Sequence, residues 1–497
     1  MKTLPRPLES SASSTFALGA LALASALMLA GCADMAGIGG HAKLRDADSL
    51  GFTAAVPSNG TATLNPSEGV DPRWWTAFGD AQLNTLIDQA VEGNPNLQVA
   101  RARLARAQAS VDVIGAADKP QLNGQFDANR TKFSKNYIYP SPLGGSIQEI
   151  GTLQLNGSWE LDFFGKNRTA LDASIGSANA AAADEQASRV MLAANVARGY
   201  FQWARLTGQL AVAQRTLAQR DETLKLVRDR VSAGLDTRLE LRQSEGGLPE
   251  ARQQIESLNE QVALAQHALD ALVAKPNVTQ SLVPPSLDSV KAIALRSNIP
   301  VDLLGRRADI AAARWRVEAA TSDVANARTQ FYPNINLTAF AGFQSIGFSN
   351  LVKSGSQQWG VGPAIRLPIF EGGRLRANLR GKASDLDAAI ETYNATVIDA
   401  VRDVADQVAS AQSIARQQTE QRNAEVAAEG AYDIAVQRYR AGLGNYLQVL
   451  TAETTVLAQR RLAVDLAARA LDTQVSLARA LGGGYQPPVN TASAAIN

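Results

Sequence analysis

The chain repeats itself. Arg230-Val-Ser-Ala-Gly234-Leu235, followed by Leu239 and Glu245, returns as Arg438-Tyr-Arg-Ala-Gly442-Leu443, followed by Leu447 and Glu453. Upstream, Leu97, Ala100, Arg101, Ala107 and Pro120 are answered in order by Ile310, Ala313, Arg314, Ala320 and Pro333, and Phe164 and Gly165 by Phe370 and Gly373. The spacing stays near roughly 210 residues, so the chain reads as one structural unit built twice. Each copy has the same order: helix, two strands, long helix, glycine turn, helix. The first copy is expected over residues 72–275 and the second over 305–482, with a Pro-rich seam over 276–304 between them. Residues 483–497, rich in Gly, Pro and Ala, are expected to be a disordered tail.

The strands carry the sharpest pattern. Leu153, Leu155, Gly157, Trp159, Leu161 and Phe163 alternate with Gln154, Asn156, Ser158, Glu160 and Asp162. Their mates are Trp359, Val361, Pro363, Ile365, Leu367 and Ile369. This period of two marks strands with one apolar face. Weaker versions precede each, around Leu122–Ala128 and Ile335–Phe343. About ten residues with one apolar face suit a strand tilted across a bilayer, although a soluble sheet with one wet face has the same alternation. Phe163, Phe164, Phe331, Tyr332 and Phe370 would form an interfacial aromatic belt at one end. Four strands cannot close a barrel, and an open edge in lipid leaves backbone groups unpaired. Spanning strands therefore require several copies of the chain to share one barrel, and three copies would supply twelve strands.

The helices are long. Lys166 to Val231 contains no Pro, which permits a helix on the order of 100 Å. Leu210, Leu217, Leu224 and Val231 fall seven apart, and Val397, Val401, Val404, Val408, Ala411 and Ala415 step by four and three. Both are coiled-coil spacings. Gly234 and Gly442 are expected to reverse the long helices, because glycine accepts positive φ.

The beginning of the chain suggests a compartment. Lys2 and Arg6 precede an apolar run from Phe16 to Leu29, which is too short to span and reads as a signal peptide over residues 1–31. Leu29-Ala30-Gly31-Cys32 resembles a bacterial lipobox, with Cys32 as the lipid attachment site and the only cysteine of the chain. Ala33 follows the cysteine where Asp would favour the inner membrane, so the outer membrane and its lipid are the expected address. Residues 32–71 read as a lipid-anchored flexible tether.

Composition removes other classes. With 48 Lys+Arg against 47 Asp+Glu the net charge is +1, which gives no electrostatic footprint for nucleic acid. One Cys and two distant His, His41 and His267, cannot form a His/Cys metal centre. Neither a phosphate-cradling glycine loop nor a Gly-x-Ser-x-Gly or His-Glu-x-x-His motif is present, so no enzyme and no cofactor is expected.

Four stretches then carry a family resemblance: Trp74-Trp-Thr-Ala-Phe-Gly-Asp80, Trp159-Glu-Leu-Asp-Phe-Phe-Gly165, Leu303-Leu-Gly-Arg306-Arg307-Ala-Asp309-Ile310 and Leu367-Pro-Ile-Phe370-Glu-Gly-Gly-Arg374. In this order the chain resembles the TolC-like outer-membrane efflux proteins, in the NodT-type lipoprotein branch that serves multidrug pumps. The resemblance runs from about Trp74 to Gly483; Ala81 and Ala308 depart where the family often has Pro. It implies a mixed α and β membrane protein: a homotrimer whose twelve-strand β-barrel, four strands per chain, is continued by an α-helical coiled-coil tunnel into the periplasm. It also implies a periplasmic adaptor and an inner-membrane transporter, here of the proton-driven multidrug type.

The tip turns Gly234, Leu235, Gly442 and Leu443 would face the adaptor. Aligned on Gly442, the aperture positions where the family often has Asp are Gln448 and Thr451, and the first-half counterpart is Glu240. The other reading of Glu240, and the favoured one, is a solvated acid at a helix start. Arg228, Arg230, Arg438 and Arg440 flank the turns, either paired with acids of neighbouring helices or as surface charge. The expected function is passive conduction of small toxic compounds. Protein secretion through the same kind of duct, a structural outer-membrane rod and a cell-wall hydrolase are the alternatives.

Overall fold

The structure is a computed structural model that describes residues 35–45, 70–287, 290 and 306–485. The signal peptide, Cys32, Leu303 and Leu304 of the third motif, most of the seam beyond Ser286, and the tail after Tyr485 lie outside the described residues. The helices are α1 (Ala81–Gly93), α2 (Pro95–Gly115), α3 (Lys166–Ser232), α4 (Arg238–Val273), α5 (Ala308–Thr329), α6 (Arg374–Arg440) and α7 (Tyr446–Ala480). The strands are β1 (Gln121–Lys132), β2 (Ile147–Glu160), β3 (Asn334–Ile346) and β4 (Gln357–Arg366). The doubling is plain in the lengths: α3 and α6 are each 67 residues, and α4 and α7 are 36 and 35.

Two compact units cut across the sequence halves. One comprises Met1–Lys43, Arg106–Asn179 and Trp315–Glu391, and the other Leu44–Ala105, Ala180–Arg314 and Thr392–Asn497. The first unit holds an antiparallel sheet in the order β1-β2-β3-β4. Two strands end earlier than their alternation predicts. β2 stops at Glu160 rather than Phe163, and β4 stops at Arg366 rather than Ile369. Pro368 has no N–H to extend the ladder past β4.

Phe331 departs from the expected aromatic belt. It is only 4% exposed and packs with Val324, Ala327, Leu375 and Leu379 between α5 and α6. Phe163, Phe164, Tyr332 and Phe370 do remain exposed at the end of the sheet where β2 and β4 finish and β3 begins. Phe164 and Tyr332 stack with centroids 5.0 Å apart.

Residues 35–45 are docked, which corrects the flexible tether for this stretch. Met35 and Ile38 pack on the Phe331 cluster, and the backbone N–H groups of His41 and Ala42 both donate to Asp387 Oδ1 at 2.8 Å. Fixed backbone partners on a helix replace the chain freedom that its small residues had suggested.

In the second unit the Trp74–Asp80 motif builds the core. Trp74, Trp75 and Phe78 bury against Leu83, Ile87, Tyr200, Phe201, Trp203, Leu269 and Val273. Asp80 caps α1, its Oδ1 accepting from the N–H groups of Gln82 and Leu83, while Oδ2 accepts from the Tyr200 hydroxyl at 2.7 Å. Burial, and next this bond to a carboxylate, push the Tyr200 phenol up. Arg307 of the third motif forks onto Asp309 at 3.0 and 2.7 Å and donates to the Ala480 carbonyl.

The coiled-coil seams drift from strict sevens. Leu224 is buried, but Leu206, Ala213 and Val227 are buried where Leu210, Leu217 and Val231 are only half-buried. On α6 the stripe runs Val397, Val401, Val404, Val408 and then Ile414, leaving Ala415 exposed. A helix of 3.6 residues per turn rotates away from a 3.5 repeat by about 20° per heptad. Among the described residues no helix is long and apolar enough to cross a membrane.

Candidate functional site

Two surfaces stand out, one in each unit. In the sheet the register aligns side chains into rows. Leu122, Gly157, Ala339 and Val361 stand side by side, as do Gly124, Leu155, Ala341 and Trp359, then Phe126, Leu153, Phe343 and Gln357. This face is apolar over about ten residues of strand, near the ~25 Å of a membrane-spanning band. Its large side chains, Leu122, Phe126, Leu155, Trp359 and Val361 among them, are exposed in the single chain.

The opposite face is an amide ladder. Asn156 Nδ2 and Gln154 Nε2 donate to Gln125 Oε1 at 3.0 and 3.3 Å, and Gln358 Nε2 donates to Gln154 Oε1 at 3.1 Å. Gln125 Nε2 in turn donates to Asp127 at 2.6 Å. The ladder ties three strands together on this face, where its polar groups bond one another. Phe340 interrupts it by lying over Gly360, where a Cβ would stand 2.7 Å from the ring.

The second surface is the pair of tip turns. Gly234 and Gly442 have φ of 66° and 75°. Leu235 N–H donates to the Arg230 carbonyl and Gly234 N–H to that of Val231; Leu443 and Gly442 make the same bonds to Arg438 and Tyr439. Both are Schellman turns, which satisfy the last carbonyls of a helix and need a left-handed residue at the glycine. Leu235 and Leu443 project from them 65% and 71% exposed, and Leu239 and Leu447 extend each apolar patch on the following helix.

The three aperture candidates have local duties. Glu240 completes a capping box with Thr237: its carboxylate accepts from the Thr237 backbone N–H at 2.9 Å and from the Thr237 hydroxyl. The bond from that hydroxyl, followed by backbone bonds, holds the Glu240 carboxyl below its ordinary range. Gln448 is the equivalent third residue of α7, where Asn445 supplies the cap. Thr451 donates to the Leu447 carbonyl at 2.9 Å.

The arginines beside the turns differ from one another. Arg230 is nearly buried and forks onto Asp236 at 2.9 and 3.2 Å. It also donates to the Tyr439 carbonyl at 2.9 Å and lies 4.6 Å from the centre of that ring. Tyr439, fully buried, donates its hydroxyl to Asp236. Burial alone would raise the Asp236 carboxyl, but the bonds from Arg230 and Tyr439 outweigh it and hold it below the usual range. Burial and then the bond to Asp236 push the Tyr439 phenol up. Arg438 donates to the Leu443 carbonyl at 3.2 Å, and Arg228 reaches Glu245 at 3.9 Å. Sequence reading missed Asp236 and Tyr439. The signal for them is a break in the repeat, since the matching positions hold Gly444 and Val231.

Farther along the helices, Arg460 is bidentate to Glu429 at 2.6 and 2.7 Å and bonds Gln219 at 2.8 Å. Arg220 joins Glu453, Glu250 and the Gly247 carbonyl, so one guanidinium bridges α3, α4 and α7. Among the described residues no group of three His, Cys, Asp or Glu could hold a metal ion.

A sheet too small to close, apolar on one face and amide-lined on the other, together with 67-residue helices that end in paired glycine turns, defines an outer-membrane channel protein. The family model for outer membrane efflux proteins matches residues 86–275 and 299–483, and the chain belongs to that family. It is 32% identical over 468 residues to the multidrug resistance outer membrane protein MdtQ of Escherichia coli O157:H7, covering 93% of this chain and 96% of that one. It is 37% identical over 369 residues to the fusaric acid resistance protein FusA of Burkholderia cepacia, covering 73% and 68%. Among solved structures, the outer membrane protein VceC of Vibrio cholerae superposes with a TM-score of 0.79 at 36% identity, covering 83% of this chain and 99% of that one. The fold is thus a trimeric channel with four barrel strands per chain and a helical tunnel, located in the outer membrane and reaching into the periplasm. Its function is that of an efflux exit duct working with partners of a tripartite pump.

Proposed function

We propose that this duct serves a pump for small toxic compounds, receiving them from a periplasmic adaptor seated on the tip turns and a proton-driven inner-membrane transporter. The observation that carries the reading is the pair of matched Schellman turns, each offering an exposed leucine patch, Leu235 with Leu239 and Leu443 with Leu447. Apolar side chains that project from a turn into solvent suit a docking surface. FusA is named for fusaric acid resistance and MdtQ for multidrug resistance, which favours small molecules over secreted protein as cargo. Glu240, Gln448 and Thr451 would line the periplasmic aperture, with a single carboxylate per chain. Cys32 would carry lipid and tether the mature chain to the outer membrane. The chain's own part is passive, because the energy comes from the inner-membrane partner.

The test is Leu235→Asp together with Leu443→Asp in a strain lacking its own duct. Drug resistance and adaptor cross-linking should be lost while trimers remain in the outer membrane. Wild-type resistance in the double variant would overturn the tip as the adaptor site. Loss of the trimer would mean that the leucines serve folding instead.

A further inference from the structure

We propose that Arg130 and Lys132, backed by Lys135 in the adjoining loop, hold the phosphate groups of a glycolipid in the outer leaflet of the membrane.

The sheet has two unlike ends. β1 starts and β2 stops next to α2 and α3, and β3 and β4 meet α5 and α6 in the same way. The loops of residues 133–146 and 347–356 therefore lie at the opposite end, where the Gly347 N–H donates to the Glu149 carbonyl at 2.6 Å. The helical tunnel reaches into the periplasm, so these loops face the outside.

The apolar face changes character as it nears them. Along β1 it carries Leu122, Gly124, Phe126 and Ala128, and the same alternation then brings Arg130 and Lys132 onto it. From Leu122 to Arg130 the strand advances roughly 26 Å, or about 20 Å of membrane depth at the usual tilt. Arg130 thus stands at the outer edge of an apolar band about 25 Å tall, where lipid headgroups begin. Lys132 follows about 7 Å farther on the same face. Two cations at that spacing can flank one phosphate, and the guanidinium can fork onto two of its oxygens.

Few carboxylates compensate this end. Residues 129–150 and 345–358 hold Arg130, Lys132, Lys135 and Lys353 against the single acid Glu149, a net of +3 in a chain whose total is +1. Glu149 stands opposite Arg130 in the register, yet among the described residues no ion pair joins them. Lys353 donates to the neutral Asn350 amide oxygen at 2.7 Å. At the periplasmic end Lys166 and Arg374 do have carboxylate partners, Glu160 and Glu371, each at 2.9 Å. Three chains in one barrel concentrate the unpaired charge on a single rim.

The loop adds aromatic rings. Tyr139 packs against Phe133 with centroids 4.7 Å apart, and Tyr137 lies 5.6 Å from Tyr139 and is mostly exposed. Tyrosines at this height form an interfacial girdle. A surface cation is ordinarily solvated. Arg130 and Lys132 instead continue a lipid-facing stripe, at the depth where a headgroup phosphate is the nearest anion.

Full-length trimers in mild detergent would be titrated with lipopolysaccharide and with the same lipid stripped of phosphate. Wild type should bind the intact form at least ten-fold more tightly. Arg130→Gln with Lys132→Gln should bind both forms alike, while conductance in planar bilayers stays at the wild-type value. Arg366→Gln, at the periplasmic end of β4, should keep the preference. Footprinting needs no variant: intact lipid should lower acetylation of Lys132 in wild-type trimers at least five-fold and leave Lys119, ahead of β1, unchanged. A wild type that binds both lipids alike, an unprotected Lys132, a double variant that keeps the preference, or its equal loss in Arg366→Gln would each overturn the proposal. The footprint decides the matter if the double variant fails to assemble.

Discussion

Tyr439, buried in the second-half turn, donates its hydroxyl to Asp236 beside the first-half turn, a bond between residues 203 apart in sequence. Arg230 completes the link by forking onto the same carboxylate and lying on the Tyr439 ring. One carboxylate thus holds the two tip hairpins of a chain together. Tyr439→Phe removes one charge-assisted bond, worth about 1.5–3 kcal/mol. The loosened tip should raise single-channel conductance in planar bilayers while trimer stability measured with the barrel intact stays near wild type. Unchanged conductance would mean that the link does not restrain the passage.

The same link predicts a pH response. The folded Asp236 carboxyl is held below its unfolded value of about 3.9, so its stabilisation is fully present above that value. It is lost as pH falls through the lowered folded value. Conductance through the tip should therefore stay flat from neutral pH to about pH 5, and the Asp236 contribution to any further opening should appear only below about pH 4. Asp236→Asn should abolish that component and should conduct like Tyr439→Phe at neutral pH.

Glu240 allows charge and capping to be separated. Glu240→Gln retains a residue type that completes a capping box, whereas Thr237→Ala loses the cap at a cost of about 1 kcal/mol. If Glu240 faces the aperture, the Gln variant should shift the cation-to-anion permeability ratio toward anions with no change in thermal unfolding. Thr237→Ala should lower the unfolding temperature. An unaltered permeability ratio in Glu240→Gln would leave the carboxylate with its capping role only.

Gly342 tests the sheet. A Cβ there would stand 2.2 Å from the Leu153 carbonyl oxygen and 2.5 Å from Gln154 Cα, both backbone atoms that cannot swing aside. Gly342→Val should prevent β2 from pairing with β3 and so stop barrel closure. The variant should run as a heat-insensitive monomer in semi-native gels. A full yield of heat-modifiable trimer would refute this close approach.

The turns gauge the cost of a left-handed residue. Gly234→Ala and Gly442→Ala place a Cβ at φ near 70°, which costs about 1 kcal/mol at each site. Each should lower the midpoint of denaturant unfolding of the helical part modestly, and the double variant should lower it about twice as much. A change of either midpoint smaller than the error of replicate curves would show that the turn relaxes around the new side chain.

The sequence by itself determined the doubling, the two faces of the sheet, the length of the helices and the places where they reverse. These are local properties: a period of two, the absence of proline, and a glycine where φ must be positive. Strand ends were legible only to within a few residues, because alternation can continue past the end of a strand, as it does beyond Glu160. Tertiary structure alone decided that Phe331 packs inside while Phe370 stays bare. It also decided that residues 35–45 lie clipped to Asp387 and that Asp236 binds Tyr439. The last two outcomes depend on partners 346 and 203 residues away. A hydrogen bond between distant residues imposes no period on either segment, so no local pattern can announce it; the fold creates the bond by bringing both ends to one place.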